Sequence, residues 1–162
     1  LVLDLRMCVA NEKPDWSVVM VGPLETNITA FKSINNLYFL GEKKYEVLPS
    51  YLYFFDVCII PFKINELTKD VNPVKLYEYL SAGKPVVATG IPELKRYENV
   101  CKISRGVREF IGDIHRALQG RESARYHLFV QERINFAKGN SWKKRVNAVS
   151  QIISEYLDSK PV

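Results

Sequence analysis

The sequence predicts an α/β domain, a mostly parallel sheet covered on both faces by helices and followed by a helical C-terminal third. Three features carry that reading. Apolar runs of strand length alternate with helical periodicities. Several of those runs are apolar nearly throughout, as strands buried on both faces are. After Arg105 the period becomes that of a helix for good. With 162 residues, 47% of them hydrophobic and 25% charged, the chain suits one soluble domain with a real core and excludes a disordered or fibrous protein.

The opening residues to about Ala10 form a helix with Leu1, Leu5 and Cys8 on one face. Strands follow at Trp16 to Val21 and Asn36 to Leu40. Pro49 suits the first turn of a helix running to about Phe55, where its missing N–H costs nothing. A third strand spans Asp56 to Pro61, a fourth Pro85 to Thr89 and a fifth Val100 to Ser104. Between the third and fourth, Asn72 as N-cap and Pro73 at the first helical position open a helix. At about 100° per residue its Leu76, Tyr77 and Leu80 face the sheet, whereas Lys75, Glu78 and Ala82 face outward. Beyond Arg105, Val107, Phe110, Ile111, Ile114 and Leu118 form one helical stripe. The next helix carries Tyr126, Val130, Arg133 and Ala137 and ends near Gly139, where a left-handed residue is easy. Ser141 then caps a last helix with the stripe Trp142, Val146, Val149, Ile153 and Tyr156, which is expected to pack on its own domain or on a neighbouring one.

Several function classes are excluded. The longest apolar stretches are broken by Asp56 and Pro61 and fall short of the ~18 residues of a transmembrane helix. Cys8, Cys58 and Cys101 are widely spaced and read as small apolar residues in a reducing compartment. His115 and His127 fall in charge-rich helical stretches, which argues against a zinc or iron site. The net charge of +5 gathers late, with 11 basic against 4 acidic residues between Lys102 and Asn147. Without an aromatic-interleaved sheet motif, that excess reads as the solvated face of the last helices and not as a nucleic-acid surface. No GxGxxG turn opens a helix, which excludes a nicotinamide-binding domain, and Asp56 sits at the wrong end of its strand for a phosphorylatable receiver. The first residue is Leu and no secretory signal follows, so the chain reads as a piece of a longer protein.

In open parallel sheets ligands bind beyond the carboxyl ends of the strands, which directs attention to residues 62 to 75. The free N–H groups of the helix start favour an anion, and Lys75 adds a positive charge one turn before Glu78. A carboxylate one turn deeper can accept the paired hydroxyls of a ribose. That layout suits a nucleoside diphosphate. The same spacing also fits an i, i+3 surface pair contributing ~0.2–0.5 kcal/mol, and spacing alone leaves both readings open.

The segment NPVKLYEYLSAGKPVVATG at 72–90, together with NLYFLG at 36–41, LPSYLYFFDVCIIPF at 48–62 and NSWKKRV at 140–146, resembles the C-terminal domain of GT-B type glycosyltransferases. The similarity is to bacterial enzymes that build surface polysaccharide or teichuronic-acid-like polymers. It implies a Rossmann-like three-layer α/β/α fold over residues 1–162, the donor-binding half of an enzyme that moves a sugar from a nucleoside diphosphate sugar to an acceptor hydroxyl. It further implies that Glu78 meets the ribose. Asp70, eight positions earlier where the family usually has Glu, meets the sugar. Asn72, Val74 and Lys75 hold the diphosphate, and Gly41, Glu42 and Lys43 meet the base. In the family a glycine-containing strand and loop precede the first helix of this chain, and an N-terminal domain carries the acceptor and the catalytic base. The resemblance therefore implies that the chain alone is inactive, that its catalytic residues lie in that other domain, and that no metal or cofactor is needed beyond the donor substrate. It implies a cytoplasmic setting, with peripheral contact to the inner face of the membrane made through the parent protein. A nucleotide-sugar epimerase of the same fold and a non-catalytic α/β interaction module are the alternatives.

Overall fold

The computed structural model describes residues 2–23, 31, 33–66, 68 and 71–159. In chain order the elements are α1 (Val2–Glu12), β1 (Val18–Met20), β2 (Leu37–Phe39), α2 (Leu48–Phe54), β3 (Cys58–Ile60), α3 (Val74–Ser81), β4 (Val86–Thr89), β5 (Lys102–Ser104), α4 (Val107–Gln119), α5 (Tyr126–Gly139) and α6 (Trp142–Asp158). Each strand falls inside the segment expected of it and is shorter, β4 and β5 being trimmed only at their amino ends. Short 3-10 turns at Tyr45–Val47, Pro92–Tyr97 and Gly120–Glu122 join them. No helix among the described residues is long and apolar enough to cross a membrane.

Every strand pair is parallel. The strands form two ladders, β1-β2 with Val18 opposite Leu37, and β3-β4-β5 with Cys58 opposite Val86 and Val87 opposite Lys102. One apolar core runs under both ladders, since Val9 and Ala10 of α1, Val18, Leu37, Val87 and Phe110, Ile111 and Ile114 of α4 pack as a single cluster. On the opposite face Ile60, Val86 and Ala88 meet Leu76 and Leu80 of α3 and Ala137 of α5. The alternation in β4 sets this up, because Val86 and Ala88 point to one layer and Val87 to the other. Helices thus cover both faces of the β3-β4-β5 ladder, and the fold is the expected three-layer α/β/α arrangement. Leu76 and Leu80 are fully buried, each contributing about 1.5–3 kcal/mol of hydrophobic stabilisation.

Helix ends differ from expectation in two places. Pro73, and not Asn72, occupies the N-cap of α3, with φ −73° and ψ 110° and no side-chain cap. The fixed φ of proline suits this extended position, from which the Pro73 carbonyl accepts the Leu76 N–H at 3.0 Å and starts the helical ladder. At the end of α5, Gly139 is not left-handed. Asn140 takes the C-cap instead, its backbone N–H donating to the Ala137 carbonyl at 3.0 Å and its side-chain amide to the Phe136 carbonyl at 2.9 Å. A side chain that reaches back to an orphan carbonyl removes the need for a left-handed turn.

Gly83, with φ +71°, closes α3. Its N–H donates to the Leu80 carbonyl at 2.9 Å, and the Lys84 N–H donates to Tyr79 at 3.1 Å, the two bonds of a Schellman motif. Ser141 caps α6 as expected, its hydroxyl accepting the Lys144 N–H at 3.4 Å. The stripe it introduces is not covered, for Trp142, Val146, Val149, Ile153 and Tyr156 are all exposed.

Candidate functional site

A cleft of about 550 Å³ opens beside α3. One wall is Asn72, Val74 and Glu78, at the helix end that follows the carboxyl end of β3. The other wall is Lys138 of α5 with Trp142 and Arg145 of α6, and Tyr45, from the loop after β2, closes one side. Of the residues expected from the sequence, the structure therefore gathers Asn72, Val74 and Glu78 in one place. Glu78 is half-buried there because Leu76 and Leu80 turn the opposite face of the helix onto the sheet.

Lys75 is exposed and does not line the cleft, and among the described residues no ion pair joins it to Glu78. Gly41 has φ +67°, and its carbonyl accepts the Gly22 N–H at 3.0 Å, which ties the loops after β1 and β2 together. Lys43 folds back on the Leu40 carbonyl. Neither Gly41, Glu42 nor Lys43 lines the cleft, and the loop reaches it through Tyr45. Asp70 lies outside the described residues.

Tyr77 sits at the back of the cleft in an aromatic cluster. Its ring stacks on Phe136, meets Tyr97 edge-on and lies 4.7 Å below the Arg145 guanidinium. Its hydroxyl is 2.8 Å from that of Tyr97. Burial pushes the Tyr77 phenol up, but the hydrogen bond with Tyr97 and the nearby polar Asn72 and cationic Arg145 outweigh it and hold the group below the ordinary phenol value. Tyr97 is shifted the other way, first by burial and then by donating to Tyr77. Asn72 Oδ1 is buried without a hydrogen-bond partner.

The cleft thus offers a carboxylate to accept hydroxyls, cationic groups to meet an anion, and aromatic rims at Tyr45 and Trp142. It fits a polyhydroxylated, anionic ligand. A smaller cavity of about 330 Å³ lies at the amino ends of β4 and β5, lined in part by Cys101, Asp113, Arg116 and Arg133. Two of its charges are paired with each other, since Asp113 accepts from Arg116 at 2.7 Å as well as from Ser104 at 2.8 Å. Sequence reasoning missed Tyr45, Arg145 and Trp142 as cleft residues. The signal for the last two was present in NSWKKRV, where Trp142 and Arg145 stand three apart on one helix face.

Residues 3–120 match the model of a family described as "Glycosyl transferases group 1". A teichuronic acid biosynthesis glycosyltransferase of Bacillus subtilis (strain 168), TuaH, is 34% identical over 102 residues, which cover 59% of this chain and 26% of that protein. The chain spans about a quarter of the length of this relative.

Proposed function

The chain belongs to the group 1 glycosyl transferases, and from that premise we propose that the cleft beside α3 binds a nucleoside diphosphate sugar for transfer to an acceptor hydroxyl. The observation that carries the reading is Glu78, half-buried in the wall of a cleft and not engaged with Lys75. In this reading Glu78 accepts the ribose hydroxyls, while the amides of Val74 and Lys75 at the start of α3 meet the diphosphate. Asp70 meets the sugar, and the loop from Gly41 through Lys43 to Tyr45 approaches the base. A helix N-terminus aimed at the leaving diphosphate stabilises the charge that develops there without moving and without a metal.

The acceptor and the catalytic base belong to an N-terminal domain of the same protein. A strand upstream of α1 completes the sheet between β1 and β3, a reading supported by the two ladders that share one core without a rung between them among the described residues. The name of the relative, a teichuronic acid biosynthesis glycosyltransferase, supports a role in polysaccharide biosynthesis.

Calorimetric titration of uridine and guanosine diphosphates into the full-length protein tests the site. Glu78→Ala removes charge-assisted hydrogen bonds worth ~1.5–3 kcal/mol each before water competes, so binding should weaken by about tenfold or more with the fold intact. Lys75→Ala keeps the backbone amide and removes only a side chain that lies outside the cleft, so it should bind as the wild type does. If Glu78→Ala also binds as the wild type does, the donor site is elsewhere.

A further inference from the structure

The wall of the cleft supplied by α6 lies beyond residue 120, where the family match ends. Every residue of α6 is exposed except Arg145, which is half-buried. Its guanidinium lies 4.7 Å from the centroid of the Tyr77 ring and 5.8 Å from that of Trp142. Among the described residues no carboxylate pairs with it. A guanidinium held by aromatic faces keeps N–H groups at its edge for an anion, and a flat, rigid fork of this kind suits phosphate. Glu78 lines the same cleft, half-buried and without an ion pair among the described residues. One ligand that brings both an anion and hydroxyls answers both groups.

We propose that Arg145 is a donor-binding residue, its guanidinium meeting the diphosphate of the donor whose hydroxyls Glu78 accepts. The proposal rests on the reading of the cleft as the donor site. Arg145 supplies a half-buried positive charge inside the cleft, where the Lys138 side chain is exposed and Lys75 stands outside the lining. Because α6 brings this charge from a segment that the family match does not reach, it also makes the last helix part of the binding machinery.

The test is titration of uridine diphosphate, guanosine diphosphate and the two free nucleosides into the full-length wild type, Arg145→Gln, Arg145→Lys and Glu78→Ala. Arg145→Gln should lose at least about tenfold in affinity for the diphosphate that the wild type binds and less than about twofold for its nucleoside. Arg145→Lys should recover part of the loss, since it keeps the charge and loses the fork. Equal losses for nucleoside and diphosphate, accompanied by a lower Tm, would mean that Arg145 only clasps α6 to the domain, and would overturn the proposal. Unchanged diphosphate affinity in Arg145→Gln, with Glu78→Ala weakened, overturns it too and leaves the site standing. Full affinity in both variants, or no binding by the wild type, removes the site and the proposal together.

Discussion

Substituting Gly83 by Ala should destabilise the protein through two separable effects. The backbone at Gly83 has φ +71°, and a residue with a Cβ costs about 1–2 kcal/mol in that region. The added Cβ would also lie 2.7 Å from Val130 Cγ1, closer than carbon atoms approach, while Ile134 Cδ1 at 3.5 Å is an ordinary contact. Relieving such overpacking between α3 and α5 costs about 1–3 kcal/mol. A stiffer unfolded chain offsets about 0.4–1 kcal/mol. The net loss is roughly 1–5 kcal/mol, visible as a lower urea midpoint with an unchanged slope. Repeating the substitution in a Val130→Ala background removes the atom that is struck, so the loss there should shrink to the backbone part. An equal loss in both backgrounds would refute the steric part of the reasoning, and an unchanged midpoint in Gly83→Ala would refute all of it.

Two further outcomes follow from burial. Cys58 and Cys101 are buried, and desolvation pushes both thiols from 9.0 up to about 12, so neither should react with a disulfide reagent in the native protein at pH 8, whereas half-buried Cys8 should. The folded state keeps protons that the unfolded chain releases above pH 9, so this contribution to stability is full below pH 9 and falls as the pH climbs through 12. Urea midpoints measured from pH 8.5 upward should show the fall, and Cys101→Ala should flatten it; equal slopes would contradict the burial argument. The exposed stripe of α6 should make the 162-residue chain self-associate, and Val149→Lys with Ile153→Lys, at positions 56% and 52% exposed, should abolish this without loss of helix content. Light scattering that finds the unsubstituted chain monomeric at every concentration would rule out association through this face.

β2 and β5, each with an exposed residue, stood out only as short stretches between turns. β3 and β4 were legible because a strand buried on both faces must be apolar almost residue by residue, and Cys58–Ile60 and Val86–Thr89 have that composition. Parallel pairing followed from the helical stretch between them. The division into two ladders was not legible, since a strand's own residues say nothing of which edge lacks a neighbour. The α3 side of the cleft was readable because Asn72, Val74 and Glu78 lie within one helical entry. The other side was not, because Trp142 and Arg145 arrive from a distant helix and an apolar residue opening a stripe reads as core. The Asn72 cap failed for a local reason, since a proline next in line can hold the capping conformation itself. Gly139 failed because a neighbouring asparagine side chain can do the work of a left-handed residue.

The cleft has walls of unequal stiffness. β4 is hydrogen-bonded to strands on both sides, and α3 lies directly on it through side chains that water never reaches. Amides in that layer exchange only when the domain opens as a whole. Helix α6 has no buried residue and rests on the domain through Arg145 over Tyr77, so its local opening lies at the low end of the free-energy scale. A molecule in the cleft therefore leans on one surface that cannot yield and one that can. Whatever occupies the space sets the position of the last helix, and the helix records occupancy as a change in its own protection against hydrogen exchange.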